Sequence, residues 1–187
     1  MADDQPHLTL RRTVVLVGMM GSGKSAIGWA LADKLGVAFL DSDAALEEAA
    51  ALTISEIFAR DGEPFFRDRE VEVIDRLMSG PPAVLSIGGG AFLSERTRDL
   101  IGQKGVSVLL DVPLATLWER VRHKDTRPLL RTADPKATLT QLLQDRGPIY
   151  AKARLHVPVG PQASIAETTQ SVIDVLAKDP TILEPIS

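Results

Sequence analysis

The sequence predicts an α/β domain in which a parallel sheet is covered by helices on both faces. Three observations carry this expectation. Short apolar runs rich in β-branched residues alternate along the chain with longer helix-patterned segments, the order that builds parallel strands joined by crossover helices. These runs are continuously apolar, as strands buried on both faces require. A glycine-rich turn joins the first run directly to the first helical segment.

The elements follow in order. Residues 1–11 are expected to form a mobile tail, residues 12–179 one domain, and residues 180–187 a C-terminal tail. The first strand is Thr13-Val-Val-Leu-Val17, and residues 25–35 read as a helix closed by Gly36. Residues 37–40 form a short second strand ending at Asp41. From Asp43 to about Ser79 the pattern is helical, broken near Asp61-Gly62 and restarted by Pro64. Residues 83–87 form a third strand that runs into Gly88-Gly89-Gly90, and Ser94 caps a helix over residues 96–103. Residues 106–110 form a fourth strand, and residues 113–122 a helix. A polar stretch with two prolines follows, over about 123–135. Residues 137–151 are helical, residues 155–159 a fifth strand, and residues 164–178 a last helix.

Composition narrows the function. The 187 residues carry a net charge of −4, with 44% hydrophobic and 25% charged residues and no cysteine. That length suits one domain with a sizeable core. The acidic balance disfavours a nucleic-acid surface, so any bound anion must be held by local positive groups. The lack of cysteine removes disulfides, thiolate metal sites and a cysteine nucleophile. The acidic start does not resemble a signal peptide, and no stretch has the length of a membrane span. The default expectation is therefore a cytoplasmic protein.

Gly18-Met-Met-Gly-Ser-Gly-Lys-Ser25 fits the phosphate-binding pattern GxxxxGK[ST], between a strand and a helix. Glycines let the backbone curl so that several N–H groups point at one phosphate, and the helix N-terminus adds a favourable dipole. Gly21, Ser22, Gly23, Lys24, Ser25 and Ala26 are thus candidates to hold ATP. Lys24 would reach the β- and γ-phosphates, and Ser25 would offer its hydroxyl to Mg²⁺. The alternative is a tight turn whose lysine is solvated. A GTPase switch is the rival class, but the chain contains no asparagine, so the usual Asn-Lys-x-Asp guanine reader is absent. Asp33-Lys-Leu-Gly36 spells DxxG inside the helix after the loop, where it cannot act as a switch.

Further motifs stand in order after the phosphate loop: Asp41-Ser-Asp43, Phe66-Arg67-x-x-Glu70, Gly88-Gly89-Gly90, Arg127-Pro-Leu-Leu130, and Arg146 four residues before Tyr150. As an ordered set over about residues 13–155 they resemble the shikimate kinases. The resemblance implies a P-loop NTPase fold like the nucleoside monophosphate kinases: three layers, α/β/α, with a five-stranded parallel sheet. It also implies a substrate-binding helical region at about 43–79 and a lid at about 122–136. The implied activity is transfer of the γ-phosphate of ATP to shikimate, a step toward chorismate and the aromatic amino acids, with Mg²⁺ as cofactor.

Asp41 and Asp43 leave the carboxyl end of a strand, where open α/β sheets bind ligands, and alternation along an extended segment would put them on one side. The resemblance gives the acceptor hydroxyls to Asp43, and Asp41 suits a position near Mg²⁺; helix capping is the alternative for each. It also brings Arg67 and Arg146 together on the substrate carboxylate, a task suited to the guanidinium fork. Glu70 would orient Arg67. Otherwise Arg67 belongs to a solvated charged face. By resemblance the Gly89 N–H would help hold the substrate; a plain flexible turn is the alternative. Lid closure would exclude water and bring Arg127 to the ATP phosphates, with Arg122 against the adenine. A basic surface loop is the alternative. Gln162 is a candidate adenine contact. Arg154 stands where the family usually carries alanine. A gluconate kinase is the runner-up reading, and a monomer is the expected state.

Overall fold

The computed structural model describes residues 8–124 and 128–185. Its centre is a five-stranded parallel sheet of β2 (Thr13–Val17), β3 (Phe39–Asp41), β4 (Val84–Ser86), β5 (Gly105–Asp111) and β6 (Leu155–Pro158), in the order β3-β4-β2-β5-β6. All four pairings are parallel. Every residue of β2 and the first six of β5 are buried, which accounts for their mostly apolar sequence, Thr13 and Ser107 being the polar exceptions. The chain leaves central β2 toward β3 on one side and later crosses to β5 on the other. That reversal opens a crevice at the carboxyl ends of the strands.

Among the described residues seven α-helices flank the strands: α1 (Lys24–Leu35), α2 (Ser42–Ala50), α3 (Ile54–Met78), α4 (Glu95–Lys104), α5 (Leu114–Val121), α6 (Pro135–Tyr150) and α7 (Ile165–Leu176). Together with the sheet they make the three-layer α/β/α arrangement the sequence predicts. Most helices start where a short polar side chain accepts a backbone N–H: Asp41, Thr53, Ser94, Asp134 and Ser164 cap α2, α3, α4, α6 and α7. The break expected near Asp61-Gly62 is present, with Gly62 at φ 82° and ψ 171° kinking α3 before Pro64 restarts it.

The domain extends beyond residues 12–179 at both ends. Leu8–Leu10 (β1) pairs antiparallel with Leu183–Pro185 (β7), Leu8 opposite Pro185 and Leu10 opposite Leu183. These segments, expected in tails, are ordered because they bury apolar side chains: Leu10, Ile182 and Leu183 all join the main core. Strands of three residues give too short an alternation to be read from sequence. Arg154, the departure from the family pattern, bonds Asp179 Oδ2 at 2.7 Å and so ties the end of α6 to the turn after α7. Among the described residues no helix is long and apolar enough to cross a membrane.

Candidate active site

A cavity of about 780 Å³ lies at the carboxyl ends of the strands. Its floor is the loop from β2 into α1. Gly21, Gly23, Lys24, Ser25 and Ala26 line it, as does Ser22, itself only 2% exposed. The cap residue of α1 is Gly23, held at φ 94°, and no side chain caps this helix. Helix α5 also lacks a side-chain cap, but α1 starts on the cavity, where uncapped first-turn N–H groups can take an outside acceptor such as phosphate. Lys24 Nζ donates to the carbonyls of Gly18 at 2.8 Å and Met19 at 3.2 Å, which holds the ammonium against the loop.

Asp41 and Asp43 both line the cavity, though not through strand alternation. The strand ends at Asp41 and helix begins at Ser42. Asp41 is the cap, its Oδ1 accepting from Ala44 N at 3.0 Å, while Asp43 sits in the first turn. Burial pushes the Asp43 carboxyl above its ordinary value, and the charge of Asp41 adds to that; Lys24 and Arg67 pull it back down. A Cβ on Gly88 would lie 2.9 Å from Asp43 Oδ1, so the triple glycine gives this carboxylate its room.

Arg67 and Arg146, 79 positions apart, reach the same cavity. A Cβ on Gly90 would collide with the Arg67 guanidinium, and one on Gly89 would lie 3.3 Å from Arg146 Nη1. The two cations therefore flank consecutive glycines. The Arg67 side chain is 31% exposed and stands between two carboxylates: its Nη1 donates to Glu70 at 2.8 Å, where Glu70 is 2% exposed, and its Nε pairs with the exposed Glu63 at 3.5 Å. Burial raises the Glu70 pKa, against the hydrogen bond and charge of Arg67 that lower it.

The remaining candidates divide. Arg127 lies outside the described residues. Gln162 is exposed and does not line the cavity; Ala163, Ser164, Ile165 and Thr168 at the start of α7 do. Arg122 pairs with Glu119 at 2.9 Å on the helix surface. The arginine that reaches the phosphate loop is Arg120, which donates to Gly21 O at 3.1 Å and Ser22 O at 3.4 Å. Helical spacing could have found it. Leu117 and Val121 are the buried face of α5, and Arg120 lies three residues after Leu117, whereas Arg122 points elsewhere.

The donor set suits Mg²⁺. Ser25 and Asp41 offer hard oxygen ligands to the cavity, and no group of three or more His, Cys, Asp or Glu gathers among the described residues. An ion that keeps its waters and takes other ligands from substrate phosphates needs no such cage.

Comparisons with known proteins identify the family. The shikimate kinase family model matches residues 20–177. The shikimate kinase of Ruegeria pomeroyi is 58% identical over 175 residues, which span 94% of this chain and 90% of that one. Among solved structures, the shikimate kinase of Acinetobacter baumannii in complex with shikimate superposes with a TM-score of 0.83 at 34% identity, covering 89% of this chain and 93% of that one. A gluconokinase from Sinorhizobium meliloti shares only the fold, with a TM-score of 0.58 at 20% identity over 91% of this chain and 94% of that one. The chain belongs to the shikimate kinase family.

Proposed function

We propose that this enzyme transfers the γ-phosphate of ATP to the 3-hydroxyl of shikimate, giving shikimate 3-phosphate and ADP. The observation that carries the reading is the meeting of two guanidinium groups, Arg67 and Arg146, beside the triple glycine in the cavity whose floor is the phosphate loop. A small carboxylated alcohol fits that pair, because two guanidinium groups beside one glycine loop offer more donors than Glu70 alone takes up.

In this reading the uncapped start of α1, with Lys24, receives the β- and γ-phosphates. Arg67 and Arg146 fork onto the acceptor carboxylate, with Glu70 fixing Arg67, and the Gly89 N–H adds a donor. Asp43 accepts a hydrogen bond from the attacking hydroxyl. The hydroxyl oxygen bonds to the γ-phosphorus as the bond to the β–γ bridging oxygen breaks, and that electron pair leaves on ADP. The hydroxyl proton passes to Asp43, late if the transition state is loose. Ser25 and Asp41 would hold Mg²⁺, which supplies charge neutralisation on the phosphates. By resemblance Arg127 of the lid joins Lys24 on the transferring group. The acidic net charge of −4 speaks against a nucleic-acid partner, and a cytoplasmic monomer is the default expectation.

The test is ADP release measured with shikimate, gluconate and nucleoside monophosphates as acceptors. Stimulation by shikimate above the others is expected, and a preference for gluconate or a nucleotide would refute the reading. Arg67→Ala should lower kcat/KM for shikimate by about 2–3 kcal/mol, roughly 30- to 150-fold, because it unpairs a carboxylate and frees Glu70. Unchanged shikimate kinetics in that variant would remove the clamp.

A further inference from the structure

The triple-glycine loop is fixed through its three carbonyls. Gly88 O accepts from Ala91 N at 3.0 Å and Gly90 O from Leu93 N at 3.2 Å, both inside the local turn. Gly89 O accepts instead from Tyr150 Oη at 2.6 Å, a bond across 61 residues of sequence. Tyr150 ends α6 and is 2% exposed. It lies one turn past Arg146, on the same helix face. A Cβ on Gly89 would be 3.3 Å from Arg146 Nη1 and 3.4 Å from Tyr150 Oη. The two side chains thus converge on one glycine. Burial pushes the Tyr150 phenol above its ordinary value, against Arg146, which draws it down. The hydroxyl therefore remains a donor at neutral pH.

We infer that Tyr150 is a positioning residue for acceptor binding: its hydroxyl pins the Gly89–Gly90 peptide to the helix that carries Arg146. The inference rests on the shikimate reading for what is bound, and on the geometry alone for the tether. Glycine peptides have the widest conformational freedom of any. An untethered loop of three would have to be ordered each time the acceptor bound, at a cost in affinity. The local bonds at Gly88 and Gly90 shape the turn but do not place it relative to Arg146. Packing of residues 91–93 against α6 brings the loop near that helix, and the phenol adds a direct bond from α6 to Gly89 itself, so backbone donor and guanidinium share one frame. A tyrosine that merely filled the core would need its ring and not its hydroxyl.

Tyr150→Phe separates these roles, because it keeps the ring and deletes the oxygen. The KM and the calorimetric Kd for shikimate should rise about five- to tenfold, the loss of one hydrogen bond, with KM for ATP unchanged and Tm lowered by no more than about 4 °C. Amide hydrogen exchange at Gly89 and Gly90 should accelerate. Leu139→Ala, a fully buried position on the same helix, should lower Tm further yet leave shikimate KM unchanged. Tyr150→Phe with wild-type shikimate affinity and wild-type exchange at Gly89 and Gly90 would overturn the inference. If the wild-type enzyme failed to phosphorylate shikimate, the functional reading would fall, and the exchange measurement alone would decide the tether.

Discussion

Asp41 and Asp43 stand two residues apart, and the start of α2 between them gives them different roles. Asp41 spends one oxygen on the Ala44 N–H, so its position is set by the helix end. Asp43, past the cap, has its pKa raised by burial first and by the charge of Asp41 second. A carboxylate that must accept a proton from the attacking alcohol has to be ionised, so kcat/KM for shikimate should fall on the acid side at a pH above the usual aspartate range. Asp41→Asn tests this. Asparagine caps a helix as well as aspartate does, so the fold is kept while the raising charge is removed. The acid limb of the profile should move to lower pH, whatever happens to the maximal rate, and an unmoved limb would show that Asp43 is not the group titrating. The sign for stability is parallel. A raised folded-state pKa gives a contribution that is full below the unfolded value and lost as pH rises through the folded one, and Asp41→Asn should reduce that loss. Both aspartates were legible in the sequence as site residues. Their division was not, because it depends on the residue at which strand hydrogen bonding gives way to helix.

At the scale of elements, the kink in α3 connects fold to site. Residues before Gly62 include buried Ile57, which packs with Leu46 of α2; residues after it join the same cluster through Phe66 and Val73 and carry Arg67 to the cavity. The backbone at Gly62, φ 82° and ψ 171°, lies in a region essentially closed to side chains. Gly62→Ala should therefore cost about 1–3 kcal/mol, lowering Tm by roughly 2–12 °C. It should also raise shikimate KM by re-aiming Arg67, with ATP KM unaffected. Calorimetry with two-substrate kinetics checks both, and loss of stability with normal shikimate KM would show that the kink is not what aims Arg67. The break was legible from Asp61-Gly62-Pro64, since glycine and proline announce themselves locally. Arg120 was less so: its value lies in reaching Gly21 O from another element, and only the face shared with Leu117 and Val121 hints at it.

Across the whole molecule, the proposed acceptor site draws on α2, α3, the glycine loop and α6 around the parallel sheet, while the chain ends are fastened elsewhere. None of the residues from 8 to 12 or from 179 to 185 lines the cavity. The β1–β7 pair is held by the Arg11–Glu184 ion pair and by Arg11 N donating to Ile182 O at 2.8 Å. The exposed ion pair contributes little. The stabilising part is Ile182 and Leu183, both fully buried in the main core. These positions follow an Asp-Pro turn signal that hides them from a periodicity reading, and their burial depends on β1 arriving from the other end of the chain. Ile182→Ala should cost about 2–5 kcal/mol, a transfer loss plus a cavity, and lower Tm by roughly 4–20 °C. Glu184→Ala, which breaks only the surface pair, should change Tm by less than about 4 °C. In both variants the KM values for ATP and shikimate should equal those of the wild type at temperatures where the protein stays folded. A rise in either KM on removing Ile182 would mean that the terminal pair supports the geometry of the cavity as well as the stability of the domain.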